Sequence, residues 1–597
     1  MKVVSLGLGL GFWSCSVVAG CSDTQLAAGA AGPGPTVEAQ QDAGPGSEAG
    51  PVDGAALIVS APSTAATNEL GGTISFTVQL ARAPRAAVVV PIASSDSTEA
   101  TADLASLSFS AADWNQPRTI VVTGLGDDVV DGRVAYTVSV GPATSDDPGY
   151  AGAVATPVAL VNDDHPLAAY RPADVNHFLV TGQSNAVANS SHPPPAELTT
   201  PHPTLGNLSF DVGVMTAQDC DGDGCRQYET PTDFVPIAEG DVFPLSPTPR
   251  ETLASTMANQ ASFLGKTVYF AGTEHAGHDV LVSIHGRSGN PYPCLAFGSC
   301  PWLAGRNYVD GFQEGLWQVR DAKAIAESKQ KSYAVRGVAV VHGESDHHDY
   351  AGLYPRSGTD GTPDAIANYA DALLEWQRDY EREVTAITGQ ASPVPLYVLQ
   401  LQWTERSLNE VTIDQYDAHL RGPGKVVLVA PSYMLPFRPD CLHYTVDSQR
   451  RIGEYFAKAY AHTVFTGQAY EPLRPLGVTR DGAVLTVRYH VPVPPLVLDT
   501  SQVTDPGHYG FVFTDDGNTA QVSSVELVSA DTVRIVLNAA PTGANGRLLY
   551  AVSTAQIACP GPTTGMRGNL RDSDATPSER GGAPLVNWSV GFRLAVP

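Results

Sequence analysis

Between residues 170 and 467, apolar runs of strand length alternate with longer stretches of helical period. "HFLVTG", "KTVYFAGTEHAG", "RGVAVVHGESD", "VPLYVLQLQW" and "KVVLVAP" read as buried strands. "YVDGFQEGLWQVRDAKAIAESKQ", "DAIANYADALLEWQRDYEREVTAIT" and "TVDSQRRIGEYFAKAYAHTV" place apolar residues three and four apart, the spacing of one helix face. Strands interleaved with helices pair in parallel, with helices on both faces of the sheet. Ligands of such sheets bind beyond the carboxyl ends of the strands. Gly182-Gln183-Ser184-Asn185 and His342-Gly343-Glu344-Ser345-Asp346 both fall at such ends.

The flanks follow another pattern. Residues 55–165 and 470–597 carry short β-branched runs separated by Gly, Pro, Asp and Asn, such as "TISFTVQLA", "RTIVVTGLG", "AVLTVRYHVP" and "TVRIVLNAA". That patterning predicts a β-sandwich on each side of the α/β unit. A chain of 597 residues holds three or four units at about 150 residues each. The first flank, through "NELGGTISFTVQL" and "FSAADWNQPRTIVVTGLGDDVVDGRVAYTVSV", resembles a Calx-β-type domain. The resemblance implies a calcium site at loop carboxylates, here Asp127, Asp128, Asp131, Asp163 and Asp164, hard oxygen ligands of the kind calcium takes. Such domains also serve as plain spacers. The last flank is compatible with carbohydrate binding or with packing against its neighbour.

The N-terminus reads as an export signal. Lys2 precedes an apolar stretch that ends in Val18-Ala19-Gly20-Cys21, small residues before a cleavage point. This resembles a bacterial lipobox, which implies cleavage after residue 20, lipid on Cys21 and a membrane-anchored exported protein. Residues 21–54 are mostly Ala, Gly, Pro, Gln and acidic residues with almost no large apolar side chain; they bury too little to fold and read as a tether. With Cys15 removed and Cys21 lipidated, six of the eight cysteines remain. Cys220 with Cys225 and Cys294 with Cys300 would close small loops; Cys441 with Cys559 is left by elimination. The formal net charge of −27 excludes nucleic acid as a partner, because phosphate binding needs clustered cations.

A serine hydroxyl becomes a nucleophile only with a base beside it and N–H donors facing the developing oxyanion. The Gly-Gln-Ser-Asn turn presents Ser184, although a serine at a helix start is most often an N-cap. Ala186 breaks the G-x-S-x-G elbow of α/β-hydrolases. Far downstream, Asp440 and His443 stand three residues apart before a helix. One short turn then presents both side chains together, with the carboxylate fixing the imidazole tautomer and the other ring nitrogen facing a serine.

With these boxes in this order, residues 175–465 resemble an SGNH hydrolase, in particular the branch of sialate O-acetylesterases and acetylxylan esterases. The resemblance implies a three-layer α/β/α sandwich, no cofactor for catalysis, and removal of acetyl groups from an acetylated glycan. Ser184 is then the nucleophile, His443 the base and Asp440 the orienting acid, with Glu344 its rival. The Ser184 N–H, Gly182, Gln183, Asn185 and the loop "IHGRSGNPY", through Gly289 and Asn290, would supply oxyanion and substrate contacts. His342 stands where the family usually has Gln, and an imidazole offers a donor to substrate or oxyanion.

Asp219, Asp221 and Asp223 with Gly224 match the start of an EF-hand loop, but Thr230 stands where its bidentate Glu belongs. A disulfide-closed insertion is the favoured reading, with calcium as the alternative. His275, His278, His285, His347 and His348 lie near site segments without zinc-type spacing. Trp376 and Trp403 suit either sugar stacking or core packing. The competing functional readings are a non-catalytic surface glycan-binding protein and an esterase of lipid or polyester.

Overall fold

The computed structural model describes residues 57–69, 72–125, 133–163, 170, 172–188, 200–217, 228–239, 251–271, 277–298, 300, 310–402, 410–552 and 559–597. In the first part, Leu57–Val59, Thr73–Leu80, Arg118–Gly124 and Ala100–Ala102 form one antiparallel sheet. A second sheet runs through Ala66–Asn68, Val158–Asp163, Arg133–Val140, Val88–Ser94 and Ser106–Phe109. Along Thr73–Leu80 every second side chain is buried, because successive side chains of a strand point to opposite faces. Ile74, Phe76 and Val78 of one sheet and Val90, Tyr136 and Val138 of the other share one core.

The central sheet has strands β1 (Val175–Gly182), β2 (Leu208–Phe210), β3 (Phe234–Pro236), β4 (Val280–Ile284), β5 (Tyr333–Val341), β6 (Leu396–Gln400) and β7 (Val426–Pro431), in spatial order β3-β2-β4-β1-β5-β6-β7. All neighbours are parallel except β3 and β2. Every residue of β1, β4, β6 and β7 is buried, as parallel strands covered by helices require. The helices are α1 (Ala254–Leu264), α2 (Gly311–Ser328), α3 (Glu344–His348), α4 (Tyr350–Leu353), α5 (Tyr369–Thr388), α6 (Glu410–Arg421) and α7 (Val446–Thr466). α1 packs on α7, while α2 packs on α5 and α5 on α6.

Sequence signals set the helix ends. Asp310, Asn368 and Thr445 cap α2, α5 and α7 by accepting backbone N–H bonds. Gly389 and Gly467 end α5 and α7 in the left-handed conformation, which glycine adopts without steric cost.

One expected strand is not a strand. The Lys266–Phe270 part of "KTVYFAGTEHAG" prolongs α1 as a π-helical turn over Gly265–Tyr269, with the Phe270 N–H bonded to the Gly265 carbonyl. Residues 272–276 lie outside the described residues, and the strand in this part of the chain is β4 instead. α1 itself has all but one of its residues buried, so it offers no polar face to read as a period.

The C-terminal part forms a four-stranded sheet (Arg474–Asp481, Val484–His490, Thr532–Leu537, Val522–Ser529) and two smaller sheets. Its apolar residues belong to the same core as the α/β unit. Trp588 packs edge-on to Tyr433, and the Tyr433 hydroxyl donates to the Ser589 carbonyl at 2.8 Å. Gln400 at the end of β6 exchanges two hydrogen bonds with the Gly591 backbone, at 2.9 and 2.7 Å. Lys458 of α7 is buried between the Asp574 carboxylate at 2.7 Å, the Asn587 side chain and the Leu585 carbonyl. This packing predicts that a chain ended at residue 469 loses the cooperative thermal transition of the α/β unit and keeps only that of the first β part, which has its own core. Trp588→Ala, which empties a site only 3% exposed, is expected to cost about 3–5 kcal/mol in denaturant unfolding.

Candidate active site

Three segments meet at the carboxyl ends of the parallel strands. The first is the turn after β1. Gly182 pairs with Val341 at the end of β5 and has φ +134°. A Cβ there would lie 2.1 Å from the Val341 oxygen, so only glycine fits. The chain turns at once, closed by the Ala186 N–H to the Gln183 carbonyl at 2.9 Å. Ser184 sits in this turn, 6% exposed. Its backbone N–H has no acceptor among the described residues.

The second segment is the turn before α7. It is closed by the Arg438 N–H to the His443 carbonyl at 2.8 Å and carries Cys441 at φ +63°. Asp440 Oδ1 accepts from the N–H groups of Leu442 and His443, each at 3.0 Å. Its other oxygen accepts from His443 Nδ1 at 3.0 Å, and His443 Nε2 lies 3.0 Å from Ser184 Oγ. Since the carboxylate can only accept, Nδ1 carries a proton, and in the neutral imidazole Nε2 is then the nitrogen that accepts from the hydroxyl. Partial burial pushes the Asp440 carboxyl up, but the two backbone N–H bonds and the imidazole outweigh this and leave it below the usual range. A depressed carboxyl stabilises the fold above its ordinary pKa, and that contribution is lost only as pH falls through the lowered value. Cys441 is joined to Cys559, tying this turn to the C-terminal part.

The third segment is α3 with the loop after β4. Glu344, buried, accepts from the Asn185 amide at 2.6 Å. Its second oxygen has no hydrogen-bond partner among the described residues. Burial raises its carboxyl, against lowering by the Asn185 bond and by the nearby His342 and His443. No hydrogen bond joins it to His443 among the described residues; the imidazole Nδ1 faces Asp440. The Ser345 N–H donates to the Gln183 side chain at 3.1 Å. The loop follows β4: the Arg287 N–H donates to the Gly182 carbonyl at 2.8 Å, and Gly289 has φ +69° with open space where a side chain would be.

Two expected contacts are placed differently. The Asn185 side chain is engaged within the protein. Its amide donates to Glu344 and to the Leu442 carbonyl at 3.1 Å, and its oxygen accepts from the Tyr444 N–H at 3.2 Å. At 1% exposure it is a clamp between the first two segments. His342 is likewise not open to an oxyanion: Nε2 meets the Asn290 carbonyl at 3.0 Å and Nδ1 the Tyr369 hydroxyl at 2.7 Å. Asp346 lies in the box at 342–346 without being assigned a role there, while Tyr354 and Gln449, whose amide holds the Asn185 carbonyl at 2.9 Å, stand outside the boxes and carry no local signal. Trp376 is fully buried, so it packs the core. His278 and His285 are buried against tyrosine hydroxyls, His347 is buried and His348 exposed. Cys294 is bonded to Cys300. Asp163 is ion-paired with Arg133 at 2.5 Å.

Cys21, Asp127, Asp128, Asp131, Asp164, Asp219, Cys220, Asp221, Asp223, Cys225, His275 and Trp403 lie outside the described residues. Among the described residues, no three His, Cys, Asp or Glu side chains converge on a metal position.

Two outcomes are expected. Asp440→Asn lowers kcat/KM by about 10²–10⁴ on an ester substrate, because the amide favours the wrong tautomer; Glu344→Gln costs at most about tenfold and mainly lowers Tm, by weakening a charge-assisted bond. The reverse order would make Glu344 the orienting acid. Cys559→Ser removes the staple, with a stability loss of about 2–4 kcal/mol in urea unfolding and a fall in kcat.

No family model matches the sequence, and no curated protein matches it. Similar solved structures include a carbohydrate acetylesterase from Xanthomonas citri, 14% identical over 90% of this chain and 99% of that one, with a TM-score of 0.42. Another is an acetyl xylan esterase from the rumen bacterium Butyrivibrio proteoclasticus, 11% identical over 66% of this chain and 91% of that one, TM-score 0.22. A Calx CBD1 domain in its apo form is 13% identical over 18% of this chain and 96% of that one, TM-score 0.14.

Proposed function

We propose that the chain is an exported serine esterase that removes O-acetyl groups from carbohydrate. The observation that carries this reading is the unbroken series of contacts from Asp440 through His443 to Ser184, each 3.0 Å. Ser184 Oγ attacks the acetyl carbonyl while His443 Nε2 takes its proton. The tetrahedral oxyanion is met by the Ser184 N–H and the Gly289 turn. On collapse the bond to the sugar oxygen breaks, and His443 returns the proton to that oxygen, leaving an acetyl-enzyme. Water, deprotonated by the same nitrogen, then releases acetate and restores the serine. Asp440 holds the imidazolium that forms in each half-reaction. These steps use side chains and backbone alone.

The substrate class is supported by the order of the boxes at 182–185, 343–346 and 440–443, which resemble carbohydrate O-acetylesterases. The same reading makes residues 170–467 a three-layer α/β/α domain of SGNH type, with a β-sandwich on either side. The first sandwich is a Calx-β-like spacer, with calcium at its loop carboxylates as an added proposal. The lipobox at Cys21 and the tether to residue 54 would hold the enzyme at a membrane surface, facing extracytoplasmic glycan.

The test is acetate release from 4-nitrophenyl acetate and acetylated xylan by the chain from residue 55 onward. Ser184→Ala and His443→Ala are each expected to lose at least about 10³-fold in kcat. Activity that survives Ser184→Ala overturns the mechanism. A folded wild type inactive on a broad ester panel supports the glycan-binding reading instead.

A further inference from the structure

α3 touches both halves of the reaction site. Through Glu344 and Ser345 it grips the nucleophile turn at Asn185 and Gln183. Its next turn faces the loop after β4. Asp346 Oδ2 accepts from the Tyr292 N–H at 2.9 Å, and Oδ1 accepts from the Tyr354 hydroxyl at 2.6 Å. Beside it, His342 Nε2 lies 3.0 Å from the Asn290 carbonyl and 3.4 Å from Asp346 Oδ2. The Asn290 carbonyl can only accept, so Nε2 carries the hydrogen, and the Tyr369 hydroxyl fixes the ring from the other side. The side chains of His342 and Asp346 are wholly buried.

The loop is thus bonded at Asn290 and Tyr292, immediately after the Gly289 turn. On its other side the Arg287 N–H bonds Gly182. Gly289 between them has no side chain and, among the described residues, nothing packed at its Cβ position; its turn is closed by the Asn290 N–H to the Arg287 carbonyl. A buried carboxylate shared by a backbone N–H and a tyrosine hydroxyl is a stiff anchor, because an unmet buried partner is costly.

We propose that Asp346 and His342 are positioning residues for the oxyanion: by fixing Tyr292 and Asn290 they set where the Gly289 turn meets the developing charge. This rests on the serine-esterase reading. Neither side chain touches substrate. Their effect is read as transition-state binding rather than ground-state binding, since a donor displaced by under an ångström weakens the oxyanion contact more than substrate capture.

The experiment compares 4-nitrophenyl acetate with its thionoacetate analogue in the full-length protein. Sulfur accepts hydrogen bonds poorly, so an enzyme with a well-placed oxyanion donor favours the oxygen ester. Asp346→Asn, Tyr354→Phe and His342→Leu are each expected to lower kcat for the oxygen ester about tenfold or more, with KM within about twofold, and to narrow the oxygen-to-sulfur rate ratio. His342→Gln, whose amide can donate to the Asn290 carbonyl, is expected to recover most of the loss seen in His342→Leu. Equal losses on both esters, with the ratio kept, mean a merely structural role and overturn the proposal. Tyr354→Phe removes one hydroxyl and keeps the test open if Asp346→Asn does not fold. Wild-type activity that is absent, or indifferent to Ser184→Ala, instead fails the esterase reading itself.

Discussion

At Gly182 the chain leaves β1 with φ +134° and passes so close to β5 that a Cβ would sit 2.1 Å from the Val341 oxygen. Everything at the site follows from that approach. It lets the chain turn sharply enough to lift Ser184 above the sheet while the Gly182 carbonyl still accepts the Arg287 N–H of the neighbouring loop. Because β1 is central in the sheet, with β4 on one side and β5 on the other, the two loops that follow those neighbours flank the serine at once. Parallel pairing makes this arrangement natural: it brings successive strand ends to one edge.

The polar groups divide by burial into two sets with different work. Asn185, Glu344, Asp346, His342 and Tyr369 are buried and almost all bonded to one another or to backbone. In a low-dielectric interior such bonds are strong, and an incomplete network is penalised, so this set confers rigidity. Asp440 and His443 lie nearer water, with side chains 42% and 16% exposed. Their attraction is screened, and their alignment depends on backbone: two N–H groups hold Asp440 Oδ1, and the Cys441–Cys559 bond fixes the turn between them.

Much of this was legible along the chain where the cause is local. The Asp440 to His443 spacing, the cap at Thr445 and the terminating Gly467 act within a few residues, so their geometry can be read in sequence. The strands β1, β5, β6 and β7 announce themselves as apolar runs. α1 was not legible: a helix buried on nearly every side has no polar stripe. The Lys266–Phe270 run, β-branched and aromatic, reads as a strand, yet the helix before it and the packing of Phe270 against Phe465 carry the chain onward as a π-helical turn. The C-terminal strands were legible as strands, but not their fusion with the α/β core, which depends on Trp588, Val590 and Phe592 meeting distant partners.

The sequence by itself determined most of the element types, the residues able to cap them, and the glycine that permits the turn after β1. Tertiary structure decided which of them meet. His443 reaches Ser184 across 259 positions, and Glu344 reaches Asn185 across 159. It also turned His342 and Asn185 from prospective substrate contacts into supports. The reason is physical: dihedral preferences and capping bonds act over a few residues, whereas the partner of a buried polar group is settled only when strand register and helix packing bring remote segments to hydrogen-bonding distance.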